Sequence, residues 1–66
     1  MRIVINGEHR EVPDQMSLER VVAAITTSAT GIAVAVNGEV VRRASWSSVA
    51  LAPGDEIEVL TAVQGG

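Results

Sequence analysis

The chemistry this sequence offers is concentrated at its end, Ala62-Val63-Gln64-Gly65-Gly66. A terminal carboxylate is a poor acyl donor until a leaving group is attached, and the residues before it decide which active site it can enter. Glycine lacks a Cβ, so a Gly-Gly end can thread a narrow channel, adopt φ/ψ values closed to other residues, and leave the terminal carbonyl open to a nucleophile. Two terminal glycines arise by chance in about one chain in 200, and an ordinary frayed terminus is the alternative reading.

Other reactive groups are scarce. The chain has no Cys and a single His, His9, which excludes disulfides, cysteine zinc sites and iron–sulfur clusters and leaves little transition-metal chemistry. His9 sits in a polar stretch and is read as solvent-exposed. Ser17, Ser28, Ser45, Ser47 and Ser48 lack a second His or a cleft to activate them, so turn and cap roles are expected. Arg42-Arg43 is read as a solvated pair, with an acidic partner as the alternative. No glycine-rich phosphate loop is present. No catalytic residue, metal ligand or cofactor site is expected.

A chain of 66 residues buries only about 60% of the surface its unfolded form exposes, so a single domain with one thin core is expected over residues 1–66. A ligand pocket of roughly 300 Å³ or more would consume much of that core. The formal net charge of −3 with only five basic residues argues against nucleic acid. The opening residues break too early for a signal segment, and no apolar run is long enough to span a membrane; a cytoplasmic location is expected.

The elements that must position the tail read as follows. Residues 1–6 alternate as a strand, with Met1, Ile3 and Ile5 on one face. Asn6-Gly7 is a two-residue hairpin turn, returning through a polar edge strand over 8–12. Leu18, Val21, Val22 and Ile25 share one face of a helix over about 17–27, with Ser17 as N-cap and Glu19 in the first turn. Residues 32–36 read as a buried strand, turned by Asn37-Gly38 into a strand over 39–42. Residues 43–51 read as irregular, with Trp46 a partly buried cover over one end of the core. Ala52-Pro53-Gly54-Asp55 suits a type II turn, and the last strand runs over 56–63. One helix on one face of a small mixed sheet, with some parallel pairing, is an α+β domain in the order of the ubiquitin-like β-grasp.

The opening Met1-Arg2-Ile3-Val4-Ile5-Asn6-Gly7, the run from Ala33 to Val41, Trp46, the Pro53-Gly54-Asp55-Glu56-Ile57 turn and the terminal Gly-Gly together resemble the sulfur carrier proteins of bacterial thiamine biosynthesis. The likeness covers essentially the whole chain. It implies a β-grasp domain with residues 64–66 as a flexible tail, and a co-substrate rather than an enzyme. An ATP-using, ubiquitin-activating-type adenylyltransferase would adenylate Gly66, a desulfurase-type sulfur donor would convert the acyl-adenylate to a thiocarboxylate, and thiazole synthase would take the sulfur. Gln64 and Gly65 would thread the partner's site, and ATP would bind to the partner. Other expectations are a monomer when alone, with no nucleic acid or membrane among its partners. The alternatives are a carrier for another pathway (molybdopterin synthase small subunit, cysteine or tRNA thiolation), a ubiquitin-like modifier, or an interaction module with an incidental tail.

One surface is also expected. If Ile3, Ile5, Ile57 and Val59 face the helix, alternation sends Val4, Leu60 and Ala62 to the opposite face. With the first and last strands adjacent, these three would form an exposed apolar docking patch near the tail.

Overall fold

A computed structural model of the chain describes residues 1–26 and 31–61. Both Asn-Gly pairs adopt positive φ at both positions, 50° and 83° at Asn6-Gly7 and 51° and 86° at Asn37-Gly38, as a type I′ hairpin turn requires. The first joins β1 (Arg2–Ile5) to β2 (Glu8–Glu11), closing with Ile5 opposite Glu8. The second joins β3 (Ile32–Val36) to β4 (Glu39–Val40), closing with Val36 opposite Glu39. β2 is exposed along its whole length, as a polar edge strand should be.

Helix α1 spans Leu18–Ile25. The Ser17 hydroxyl accepts the Arg20 amide N–H at 3.2 Å, which satisfies one of the orphan donors of the first turn. Leu18, Val21 and Val22 are buried on its inner face. A helix this short depends on such packing more than on propensity. Thr26 closes it, donating its amide N–H to the Val22 carbonyl at 3.0 Å. The helix therefore ends before the expected residue 27, which lies outside the described residues.

The sheet order is β2-β1-β5-β3-β4, with β5 (Glu56–Thr61) in the middle. β1 and β5 run parallel, Val4 beside Glu56 and Ile5 beside Ile57, while the other neighbours are antiparallel. The core lies on one side of this sheet. There Ile3, Ile5, Val34 and Ile57 meet Leu18, Val21 and Val22, together with Trp46 and Leu51. This is the α+β, ubiquitin-like β-grasp arrangement that the element order implies.

The structure differs from the sequence expectations in several places. Residues 43–51 are not irregular throughout: Arg43–Ser48 forms a 3-10 helix. It turns Trp46 inward to 5% exposure, so this residue belongs to the core rather than covering its end. The indole needs a polar partner there, and its N–H donates to the Val41 carbonyl at 2.9 Å. β4 stops at Val40, two residues short of the expected end. Gln15 takes φ 61° in the turn before α1, a left-handed position that nothing in its residue type announces. The type II reading of Pro53-Gly54 holds: Gly54 has φ 86°, and the Asp55 amide donates to the Ala52 carbonyl at 3.1 Å.

Candidate functional site

The strand that leads to the terminal glycines is the best-held strand of the sheet. β3 pairs with β5 from Ile57 through Thr61, and β1 pairs with its beginning. The two turn asparagines add side-chain bonds to the same strand. Asn37 Oδ1 accepts the Glu56 amide at 3.0 Å, and its Nδ2 donates to Asp55 Oδ1 at 3.0 Å. Asn6 Oδ1 accepts the Val59 amide at 2.9 Å, and its Nδ2 donates to the Val59 carbonyl at 3.3 Å. Both residues thus use a backbone conformation suited to the turn and a carboxamide aimed at β5. Neither contact was anticipated from the sequence, because both depend on pairings between segments distant along the chain. Of the expected site residues, Ala62, Gln64, Gly65 and Gly66 lie outside the described residues.

Val4 and Leu60 share the face opposite the helix, as expected, but the register keeps them apart. Val4 is half-buried and lies beside His9 on one side and Glu56 on the other. Leu60 is four residues further along β5, roughly 13 Å away at strand rise, with Glu58 between. Its cross-strand neighbour is Ala33, and the next outward pair is Ala35 with Val40. Among the described residues, Leu60 at 62% and Val40 at 76% are the large apolar side chains that stand exposed. The apolar surface of the described residues therefore runs from Leu60 over Ala33 and Ala35 to Val40, and Val4 stands outside it. A signal for Val40 was available: a two-residue turn at Asn37-Gly38 fixes Ala35 opposite Val40.

The remaining candidates find ordinary places. His9 is exposed on the edge strand. Ser17 caps the helix, Ser45, Ser47 and Ser48 lie exposed on the 3-10 helix, and Ser28 falls outside the described residues. Arg42 and Arg43 are exposed. Ion pairs join the Met1 ammonium to Asp14, Arg2 to Glu11 and Arg10 to Glu8. Arg20, Arg43 and Trp46 border an open hollow of about 400 Å³ between α1 and the 3-10 helix. Among the described residues no three His, Asp or Glu side chains gather as a metal site would need. No helix among them is long and apolar enough to cross a membrane.

The sequence profile of the ThiS family matches residues 3–66. A protein of Paramagnetospirillum magneticum named thiazole synthase is 33% identical over all 66 residues, and the chain spans about one fifth of that relative's length, 20%. Among solved structures, the crystal structure of the thiamine biosynthesis protein ThiS from Geobacter metallireducens matches with a TM-score of 0.87 and 26% identity, covering 100% of both chains. The solution structure of a thiamine biosynthesis protein from the same organism matches with a TM-score of 0.78 and 25% identity, over 100% of this chain and 88% of the other.

Proposed function

The chain belongs to the ThiS family, and from that premise we propose that it is a sulfur carrier of thiamine biosynthesis whose working group is the carboxylate of Gly66. The carboxylate attacks the α-phosphate of ATP in a partner's site, releasing pyrophosphate and forming an acyl-adenylate. A sulfur nucleophile then adds to the carbonyl and AMP leaves, so that one carboxylate oxygen is replaced by sulfur. The resulting thiocarboxylate is handed to a thiazole synthase. In this scheme the protein is a co-substrate: the activating partner binds ATP, and this chain presents a tail.

One observation supports the reading: the family match runs from residue 3 through residue 66 and so takes in Gly65 and Gly66. The fold supports it by leading to those residues from the central strand of the sheet. Gln64 and Gly65 thread the partner's channel, where absent or slender side chains matter. Docking uses the outer face around Leu60, continued by Ala33, Ala35 and Val40, since an exposed apolar patch commonly marks a partner contact. Thiazole synthase is proposed as the receiving partner because a relative of that name contains a segment like this whole chain.

The test is intact-mass spectrometry after incubation with ATP, an activating enzyme and a sulfur donor. The expected result is a mass gain equal to one oxygen replaced by sulfur, localised to Gly66. Deleting Gly66 abolishes the gain and leaves thermal unfolding unchanged. A gain that persists in the deletion variant overturns the mechanism.

A further inference from the structure

The parallel ladder between β1 and β5 ends in an unusual way. The Val4 amide donates to the Asp55 carbonyl at 2.9 Å, and the Asn6 amide donates to the Ile57 carbonyl at 2.9 Å. Continuing that alternation, the next carbonyl along β5 is that of Val59. The backbone of the first hairpin cannot meet it, because the chain reverses at Asn6-Gly7 with positive φ at both residues. The carboxamide of Asn6 takes over, accepting the Val59 amide and donating to the Val59 carbonyl. A side-chain amide here stands in for a peptide group and extends the ladder one rung beyond the end of its strand.

We propose that Asn6 is a positioning residue for the chemistry at Gly66, holding the second edge of β5 at Val59 so that the tail departs from a strand fixed on both sides. This rests on the carrier reading above. Val59 stands two residues before Thr61, the last residue of β5. Without the clamp, the β1 side holds β5 only as far as Ile57, and beyond that point β3 alone constrains it. A carboxylate that must meet ATP in another protein's site is sensitive to such loosening, since misplacement of about 1 Å can cost on the order of 100-fold in rate. Of the docking face only Leu60 belongs to β5, and its Ala33 neighbour on β3 still pairs with it when the clamp is gone, while Ala35 and Val40 stand on β3 and β4, so the clamp acts on turnover more than on encounter.

The molecule supplies its own control. Asn37 makes a like pair of bonds, but at the start of β5, to Asp55 and Glu56. Replacing either asparagine by glycine keeps the positive φ without steric cost and deletes one pair of side-chain bonds. The two variants therefore each lose a pair of side-chain bonds to the same strand, one at its start and one at Val59, nearer the tail.

The experiment measures ATP-dependent activation of Asn6→Gly, Asn37→Gly and the unaltered full chain by the activating enzyme, with amide hydrogen exchange recorded at Val59. For Asn6→Gly the expected result is faster exchange at Val59 and kcat reduced about tenfold or more, with KM for the chain within about twofold. Asn37→Gly is expected to retain kcat and KM. Asn6→Asp, which keeps the acceptor but sets a carboxylate oxygen against the Val59 carbonyl, is expected to follow Asn6→Gly. Equal kcat in the two glycine variants, or a loss in Asn6→Gly confined to KM, overturns the positioning role while leaving the carrier reading intact. An unaltered chain that gains no sulfur overturns the carrier reading and this proposal together.

Discussion

Trp46 donates its indole N–H to the carbonyl of Val41 at 2.9 Å while its ring is 5% exposed. One side chain thereby ties the 3-10 helix to the segment leaving β4 and fills the core beneath both. Trp46→Phe keeps most of the apolar volume and leaves the Val41 carbonyl without its donor, a loss of about 1–3 kcal/mol. Trp46→Ala adds a cavity, for a total of about 3–5 kcal/mol. A core this small rarely supplies more than about 3–5 kcal/mol in all, so the alanine variant is expected to be largely unfolded. Urea titration followed by circular dichroism checks both: a phenylalanine midpoint equal to that of the unaltered chain would refute the role of the hydrogen bond.

The outer face can be tested separately from the fold. Leu60 and Val40 are exposed and outside the core, so Leu60→Asp and Val40→Asp should change stability by no more than about 0.5 kcal/mol. Each is expected to weaken binding to the activating enzyme or to thiazole synthase on the order of tenfold. Calorimetric titration of folded variants measures this, and unaltered affinity would show that docking lies elsewhere.

Ser17 is expected to matter through a single bond. Its hydroxyl accepts the Arg20 amide at 3.2 Å, and Ser17→Ala removes that acceptor at a cost of about 1 kcal/mol. Ser17→Asp should retain the cap and the favourable placement of a negative charge at the helix start. Thermal unfolding of the two variants should rank aspartate above alanine; the reverse order would contradict the cap.

Gly54 isolates a backbone effect. It has φ +86° and nothing within 4 Å of where a Cβ would stand. Gly54→Ala therefore meets no clash, and its expected cost of about 1–3 kcal/mol comes from the left-handed conformation alone. A lower denaturation midpoint with an unaltered m-value is the expected signature; no change in midpoint would mean that the turn can relax to another type.

These sites also mark what local sequence could reveal. The Asn-Gly turns, the helix face of Leu18, Val21, Val22 and Ile25, and the Pro53-Gly54 turn are signalled by residues adjacent in sequence, and all were legible. The neighbours of Leu60 were not. A β5 residue can face inward or outward by simple alternation, but whether it lies beside Val4 or Ala33 depends on the register between strands far apart in the chain. The same holds for Asn6, whose type announces a turn and says nothing of Val59. Trp46 lies deeper than local sequence suggests because its burial depends on a short 3-10 helix with no strong sequence signal.

The strand order has a consequence for how the molecule is made. β1 and β3 are not neighbours; β5, which follows both along the chain, lies between them. A nascent chain that stops before Glu56 holds two separate hairpins and a helix, without Ile57 to complete the core. Contacts such as the Leu18 amide on the Val49 carbonyl and the Leu51 amide on the Met16 carbonyl remain, but no strand joins the two hairpins into one sheet, and the inner edges of β1 and β3 stay open. Translation must pass through β5 before a stable fold is possible, so early-terminated chains are left exposed to proteolysis. The topology thereby screens the pool of folded molecules against those that lack the strand from which the tail departs.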